Sequence, residues 1–587
     1  MMEQKWFEMA GVARRKLNAA VWVPLRASQT LHATARRGHL GHCEEFFGAG
    51  SIAVPPAKRA SAETLYWTDL GLRQSHKGSC RDGRYVPADV FDGWDLELGA
   101  IALALSQDGN SDDPREWHLH QDFIITLGLK REGDAWVAMD EGYIEVARLK
   151  REDKQPVLLE VRAEHLKDYL CARGMALYVS SYRSREEVVA DASHITWPTS
   201  PFQQGSDHDR WEGRKADIIE GGWPFGSSMK VMHVGRENLD VSEDVPKVGP
   251  FDENLVSESW TVQHEGEKLT RVEGELWRDE WVEPALQSPR VRGDNLPSLV
   301  FFVTDASGTR CSADKLEGIG GWLWFRPEVV AALLSYRGAE LRWYTRDTGG
   351  LRCSPATSHV HFGVNKLGRV NIYAKDMIYL PPWIQTIWAG FNVGPEGGVS
   401  EELLAAQAAG TPAETQAPEK YLPKAFDLLN ELSNTKLGFR LFRAHDQVNS
   451  ITAAAHRFRS TDSGGLFALS KDLARLTADA IDASAIQKII APPKDQKWGS
   501  LKSLEKLVAI CVAAETARSI LGPLAAIYEL RHGDAHLPSS DVEAAFALAH
   551  VNRSAPFVIQ GYQLLRACVS SLYSVAEMLE RFPDRAS

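Results

Sequence analysis

The spacing of apolar positions changes period once along the chain. Before residue 393, short apolar runs alternate with polar residues and stop at glycine or proline, as half-buried strands do. The run Phe123–Leu129, the polar turn Lys130-Arg131-Glu132-Gly133-Asp134 and the run Ala135–Met139 predict a hairpin. Further strands are predicted over 157–161, 175–182, 229–234, 299–304, 341–345, 359–364 and 370–373, separated by breakers such as Gly308, Gly338 and Gly349-Gly350. Among these strands, Leu166, Tyr169 and Leu170 at i, i+3 and i+4 predict a helix over 162–173.

After residue 420 the period becomes 3.6. Helices are predicted over 424–432, 448–458 and 470–483. A stronger one follows, with Leu504, Leu507, Val508, Cys511 and Val512 in an apolar stripe over 504–521, interrupted or kinked at Gly522-Pro523. Leu524, Ile527, Tyr528 and Arg531 lie on the next turns. Ser540 to Glu543 has capping-box spacing and opens a helix at 541–550, and a last helix spans about 556–580. The stretch 393–420 is rich in Ala, Gly, Glu, Pro and Thr, has no aromatic residue, and reads as a linker whose few apolar positions form one short helix.

The expected fold class is therefore multidomain α+β: a β-rich or mixed α/β N-terminal region followed by an all-α helical bundle. The expected divisions are a domain over 1–200, a second β-rich domain or a continuation of the first over 201–392, the linker 393–420, and an all-α domain over 421–587. Tryptophan usage agrees with the linker, since 17 of 18 Trp precede it and only Trp498 follows. A chain of 587 residues is too long for one core, which is consistent with several units.

Composition narrows the partners. No apolar run approaches the length of a membrane span, and the N-terminal stretch carries Glu3 and Glu8 without a signal-like core. Seven scattered Cys without a CxxC pair suggest free thiols in a reducing cytoplasm. The net charge of −12 opposes a broad nucleic-acid surface. It is uneven: residues 421–587 hold 19 Lys plus Arg against 17 Asp plus Glu, a net of +2, leaving −14 to the rest. Any polynucleotide contact must be local or supplied by assembly.

No metal or other cofactor is expected. His39, His42 and Cys43 lack an obvious fourth ligand, and the pairs His118/His120 and His359/His361 read as polar strand positions. Gly318 to Gly321 lacks the Lys-Ser/Thr of a phosphate-binding loop. Arg290-Val291-Arg292 and Arg148 to Arg151 are basic spots that read as solvated faces, and Trp322, Trp324 and Trp343 as core.

One cluster stands out. Arg531, His532, Asp534 and His536 crowd the end of an apolar helix, an arrangement that fits either a catalytic site or a salt-bridged helix end. Arg531, four intervening residues and His536, with the polar His532 directly after the Arg, resembles the motif of the HEPN superfamily. The surroundings are also similar: a long amphipathic helix, a kink, the motif, a short helix and a closing helix. The resemblance covers mainly residues 450–580.

The resemblance implies metal-independent RNA cleavage by 2′-OH attack. In that chemistry His536 exchanges protons near neutrality and the permanently charged fork of Arg531 binds the scissile phosphate. Asp534 would orient an imidazole or Arg531, and His532 would carry a second proton or contact the phosphate. Arg531 and His536 are about 140° apart on a regular helix, so one chain converges them poorly; the family pattern implies a homodimer through the C-terminal domain that brings two motifs together. The whole resembles abortive-infection and antiviral effectors, an RNase under an N-terminal sensor that answers to a phage-derived trigger or an inhibitory partner protein. Two alternatives remain: the toxin of a toxin–antitoxin pair, and a non-catalytic dimerising interaction protein.

Overall fold

The computed structural model describes residues 17–35, 40–71, 79–81, 84–86, 90–93, 96–107, 115–193, 195, 202–205, 209–218, 233–234, 255–256, 269–444, 446–531 and 540–583. The chain forms two compact units, Met1–Leu296 and Pro297–Ser587. The first is mixed β/α, and the second joins a smaller sheet to a helix-rich C-terminal region.

In the first unit most of the described strands pair antiparallel in one large sheet, and three separate two-stranded pairs form from Ser79–Arg81 with Arg84–Val86, Ala104–Gln107 with Glu116–Leu119, and His233–Val234 with Leu255–Val256. The central part of the large sheet runs Asp209–Ile218, Leu269–Val282, Ala176–Val189, Cys43–Val54, Trp22–Thr34, Gln155–Arg162, Ile144–Glu152. Ala176–Val189 and Leu269–Val282 pair without a bulge from Leu177 opposite Val282 to Val189 opposite Thr270. Such a long unbroken register follows from the alternating burial along Leu269–Val282, because a one-residue slip would expose every buried side chain. The predicted helix forms at Ala163–Arg173, lays Leu166, Tyr169 and Leu170 on the sheet, and ends at Gly174 with φ +64°. Gly50 is required by close approach: a Cβ there would meet Leu70 Cβ at 2.5 Å.

The expected strand over 123–129 is instead a helix, Gln121–Thr126, followed by the hairpin Leu129–Glu132 and Ala135–Ala138. Local hydrogen bonds override the β-like composition. His120 Nδ1 accepts from Asp122 N, Thr126 Oγ1 donates to the Asp122 carbonyl, and Phe123 packs edge-on against Tyr169 at 5.0 Å.

In the second unit the described sheet order is Glu340–Trp343, Thr348–Arg352, Val360–Val364, Val370–Tyr373, Trp322–Phe325, Asn392–Val393. The helices Glu328–Leu334 and Pro382–Phe391 contribute Val329, Leu333 and Trp388 to its core. Of the three tryptophans expected in the core, Trp324 and Trp343 are buried and Trp322 is half-buried. The stretch 393–420 is not a free tether. It contains the helix Glu401–Gln407, and the Glu402 carboxylate accepts from Thr345 Oγ1, the Asp347 amide and Thr415 Oγ1 at 2.6, 3.0 and 2.8 Å. The helix packs closely on the sheet, since a Cβ on Gly363 would meet Leu403 Cβ at 2.7 Å.

The helices of the C-terminal region are Pro418–Leu437, Val448–Ala454, Ser463–Leu476, Ala483–Ile489, Ser500–Val508, Ala514–Leu530, Ser540–Leu548 and Phe557–Glu580 among the described residues. Three expectations shift, the first being the helix expected over 470–483, which is Ser463–Leu476 with a turn after it. The 504–521 run breaks between Val508 and Ala514, and the following helix continues through Gly522-Pro523. Proline removes one helical hydrogen bond. In the same turn Ser571 Oγ donates to the Ile520 carbonyl at 2.6 Å, so the neighbouring helix supplies a bond there. The helix expected over 448–458 stops at Ala454, and Arg457–Arg459 forms a separate turn.

That turn fastens the sheet to the helices. The Arg457 side chain is 0% exposed. It lies 4.2 Å from the Trp343 ring and 4.6 Å from the Tyr562 ring, while Nε and Nη2 donate to the Glu419 carboxylate at 2.7 and 3.0 Å. Beside it, enclosure holds the His456 imidazole down, from 6.5 to about 4.

Two tests follow from this joint. Arg457→Met leaves the buried Glu419 carboxylate uncompensated and is expected to destabilise by about 3–5 kcal/mol in urea unfolding, with much of the loss recovered in the Arg457→Met/Glu419→Gln double variant; a loss below about 1 kcal/mol would contradict the role given to the pair. Because the folded His456 binds its proton less readily than the unfolded one, its contribution is full above pH 6.5 and is lost as pH falls towards 4. His456→Gln should therefore flatten the decline of the urea midpoint across that window.

Candidate functional site

Arg531 follows the last turn of the Ala514–Leu530 helix, and its amide donates to the Ile527 carbonyl at 3.2 Å. The helix repeat puts Tyr528, three residues earlier, on the same face. The guanidinium carbon sits 3.7 Å from the centre of the Tyr528 ring, a cation–π contact worth about 0.5–1 kcal/mol at an exposed position.

The other partner comes from far along the chain. Arg531 Nη1 donates to both carboxylate oxygens of Asp479, at 2.7 and 2.8 Å. Asp479 belongs to the turn after Ser463–Leu476, whose backbone is fixed by bonds from the Asp479 amide to Ala474 O and from Ile481 N to Thr477 O, both 3.0 Å. The turn also pairs with the 441–443 segment: Asp482 N donates to Leu441 O at 2.8 Å, Arg443 N to Ala480 O at 2.9 Å, and the Arg443 guanidinium to the Asp479 carbonyl. Two cationic side chains thus meet at one acidic residue. The Arg531 and Asp479 side chains are 20% and 42% exposed.

Of the cluster singled out at this helix end, His532, Asp534 and His536 lie outside the described residues, and the geometry described is that of Arg531. Tyr528 was on the predicted face, whereas nothing local in the sequence pointed to Asp479 or Arg443, which reach Arg531 only through the turn.

The other candidates resolve into local partnerships. His42 Nδ1 lies 3.0 Å from the Thr34 carbonyl, His120 caps a helix, and His361 Nδ1 lies 3.0 Å from Gln407 Nε2. His359 Nε2 is 3.3 Å from Glu340, and His118 Nδ1 is 3.5 Å from Arg131 Nη1; burial is the main cause that lowers the affinity of both rings for a proton. His39 is outside the described residues. Among the described residues no group of three or more His, Cys, Asp or Glu side chains could hold a metal ion. Burial pushes the Cys43 thiol up to about 11 and that of Cys568 up to about 12, which makes them poor nucleophiles. The basic spots are paired: Arg148 with Glu160, Arg151 with Glu116 and Asp134, and Arg290 with Glu141. Among the described residues no helix is long and apolar enough to cross a membrane.

No family model, curated protein or solved structure matches this chain.

The exposure of the Arg531–Asp479 pair predicts a small contribution to stability. A double-mutant cycle with Arg531→Ala and Asp479→Ala should give a coupling of about 1 kcal/mol or less in urea unfolding. A coupling of several kcal/mol would make the pair a structural fastening like that of Arg457.

Proposed function

We propose that the C-terminal helical region is a HEPN-like, metal-independent endoribonuclease with Arg531 and His536 as its reacting groups, and that the rest of the chain controls or targets it. The observation that supports this reading is the setting of Arg531. It directly follows a long helix, and the short helix Ser540–Leu548 and the long helix Phe557–Glu580 come after it. That order matches the surroundings in which the Arg-x4-His pattern acts.

The reaction places specific demands on these groups. A base removes the proton of a ribose 2′-OH, the oxygen attacks the adjacent phosphorus, and the 5′-oxygen leaves with a proton, producing a 2′,3′-cyclic phosphate. An imidazole near its ordinary pKa serves as base or acid. A guanidinium with planar donors suits the extra negative charge on the non-bridging oxygens. A second copy of the chain would bring a second motif to the same phosphate, so the active form is a homodimer through the helical region. We place this activity in antiphage defence, with RNA as substrate and with a phage-derived trigger or an inhibitory partner acting on the N-terminal region.

A second reading has its own support. The Arg531–Asp479 pair accounts by itself for a charged helix end, as expected of a non-catalytic interaction protein whose helical region only dimerises.

Incubating the purified chain with total cellular RNA in excess EDTA separates the two. The nuclease reading expects fragments ending in 2′,3′-cyclic phosphate, with Arg531→Ala and His536→Ala each reducing the rate by about 10²–10³ or more. In cells, growth arrest on phage challenge should require both side chains. Undiminished cleavage by both variants would end the assignment. For the assembly, light scattering should give a dimer whose active fraction rises with protein concentration.

A further inference from the structure

We infer that Asp479 is a resident anion at the phosphate subsite of the helical region, and that an RNA phosphodiester takes the place of its carboxylate beside Arg531 and Arg443. The inference rests on the ribonuclease reading and adds to it a second binding residue and an internal competitor.

Three observations lead there. First, the Asp479 carboxylate already presents two geminal anionic oxygens to Arg531 Nη1, at 2.7 and 2.8 Å. A phosphodiester offers the same pair of non-bridging oxygens, and guanidinium is suited to both. Second, a further cation is aimed at the same residue from another segment: Arg443, exposed, reaches the Asp479 carbonyl. An anion held at Arg531 on this side would lie in the field of both charges. Third, the exchange needs little motion. The turn is held by backbone bonds from Asp479 N to Ala474 O and from Asp482 N to Leu441 O, at 3.0 and 2.8 Å, while the carboxylate side chain is 42% exposed. Rotation about its own χ angles releases it without disturbing the turn. Tyr528, 3.7 Å from the guanidinium, keeps Arg531 in place during the exchange.

The energetics favour exchange over permanence. An exposed ion pair contributes little, so a competing phosphate has only a small barrier of affinity to overcome. A single-stranded polyanion gains in addition from counterion release, by about 0.7 in the logarithmic salt slope for each phosphate neutralised. Asp479 therefore sets a threshold. Isolated anions bind poorly, and a polynucleotide engaging several cations wins the site.

The test uses the full-length chain carrying His536→Ala, so that RNA stays intact, and the fluorescence anisotropy of a labelled single-stranded RNA across a salt series. Adding Asp479→Asn, which keeps the shape and removes the charge, should tighten binding two- to fivefold without changing the salt slope; Asp479→Ser should do the same. Arg443→Ala should weaken binding and lower the slope by about 0.7. In an Arg531→Ala background the gain from Asp479→Asn should vanish. A purely structural Asp479 would give variants that bind no better, with loss of affinity following loss of stability. Weakened or unchanged binding in both Asp479 variants, with Arg531→Ala still impairing binding, would overturn this inference and leave the nuclease reading standing. Absence of binding in every form, or binding indifferent to Arg531, would overturn the nuclease reading and this inference with it.

Discussion

The second unit is organised around one desolvated cation. Arg457 stands where the small sheet, the first long helix of the C-terminal region and the last one meet, contributing respectively Trp343, Glu419 and Tyr562. A guanidinium removed from water is tolerable only if charge and donors are matched, and failure to match them costs several kcal/mol. Each of the three elements therefore depends on the other two being in place. The apolar core says the same: Phe458, the residue after Arg457, stacks on Trp343 at 5.7 Å and joins the sheet's core, as does Val558 from the closing helix. The sheet of residues 301–393 and the helices after it consequently form one compact unit, and the chain divides instead between Leu296 and Pro297.

Arginine and carboxylate meet again at Arg531 and Asp479, and the contrast is physical rather than chemical. At Arg457 both partners are out of solvent, with the Glu419 side chain 5% exposed, so the pair has no substitute available. At Arg531 water reaches both groups, and solvation replaces most of what the partner offers. The first pair holds an architecture. The second is positioned by a rigid turn and a rigid helix end, yet its own bond is weak enough to give way. A guanidinium committed to a buried partner cannot also serve a ligand.

Periodicity carried the sequence reading where a segment's own residues decide its structure. The strand at Val370–Tyr373, the helix at Ala163–Arg173 and the long closing helix were legible for that reason. It failed where particular partners, local or distant, outweigh the pattern. Gln121–Thr126 has the composition of a strand and becomes a helix under the influence of its His120 cap and the Tyr169 ring. The turn at Arg457–Arg459 replaces the end of a periodic helix because Glu419, from another helix, draws the guanidinium inward. Gly522-Pro523 looked like a break, yet the helix Ala514–Leu530 runs through it. At the candidate site the split is the same. Arg531 and Tyr528 could be read from helical spacing, while Asp479 and Arg443 could not, since a turn separated by 52 residues from Arg531 leaves no trace in the local pattern.

The acidity of the chain gives that split a functional meaning. With a net charge of −12, the long-range field repels a polyanion. The basic spots of the first unit offer no compensation, because Arg148, Arg151 and Arg290 are each held by carboxylates. A phosphate that binds at a guanidinium already paired with a carboxylate must displace that carboxylate, and the cost is lowest where the existing pair is exposed. The Arg531–Asp479 pair meets that condition, and the Arg443 guanidinium donates to the backbone carbonyl of the same Asp479. In an acidic protein, the binding site for an anion need not be a basic patch; it is the place where an internal anion is easiest to replace.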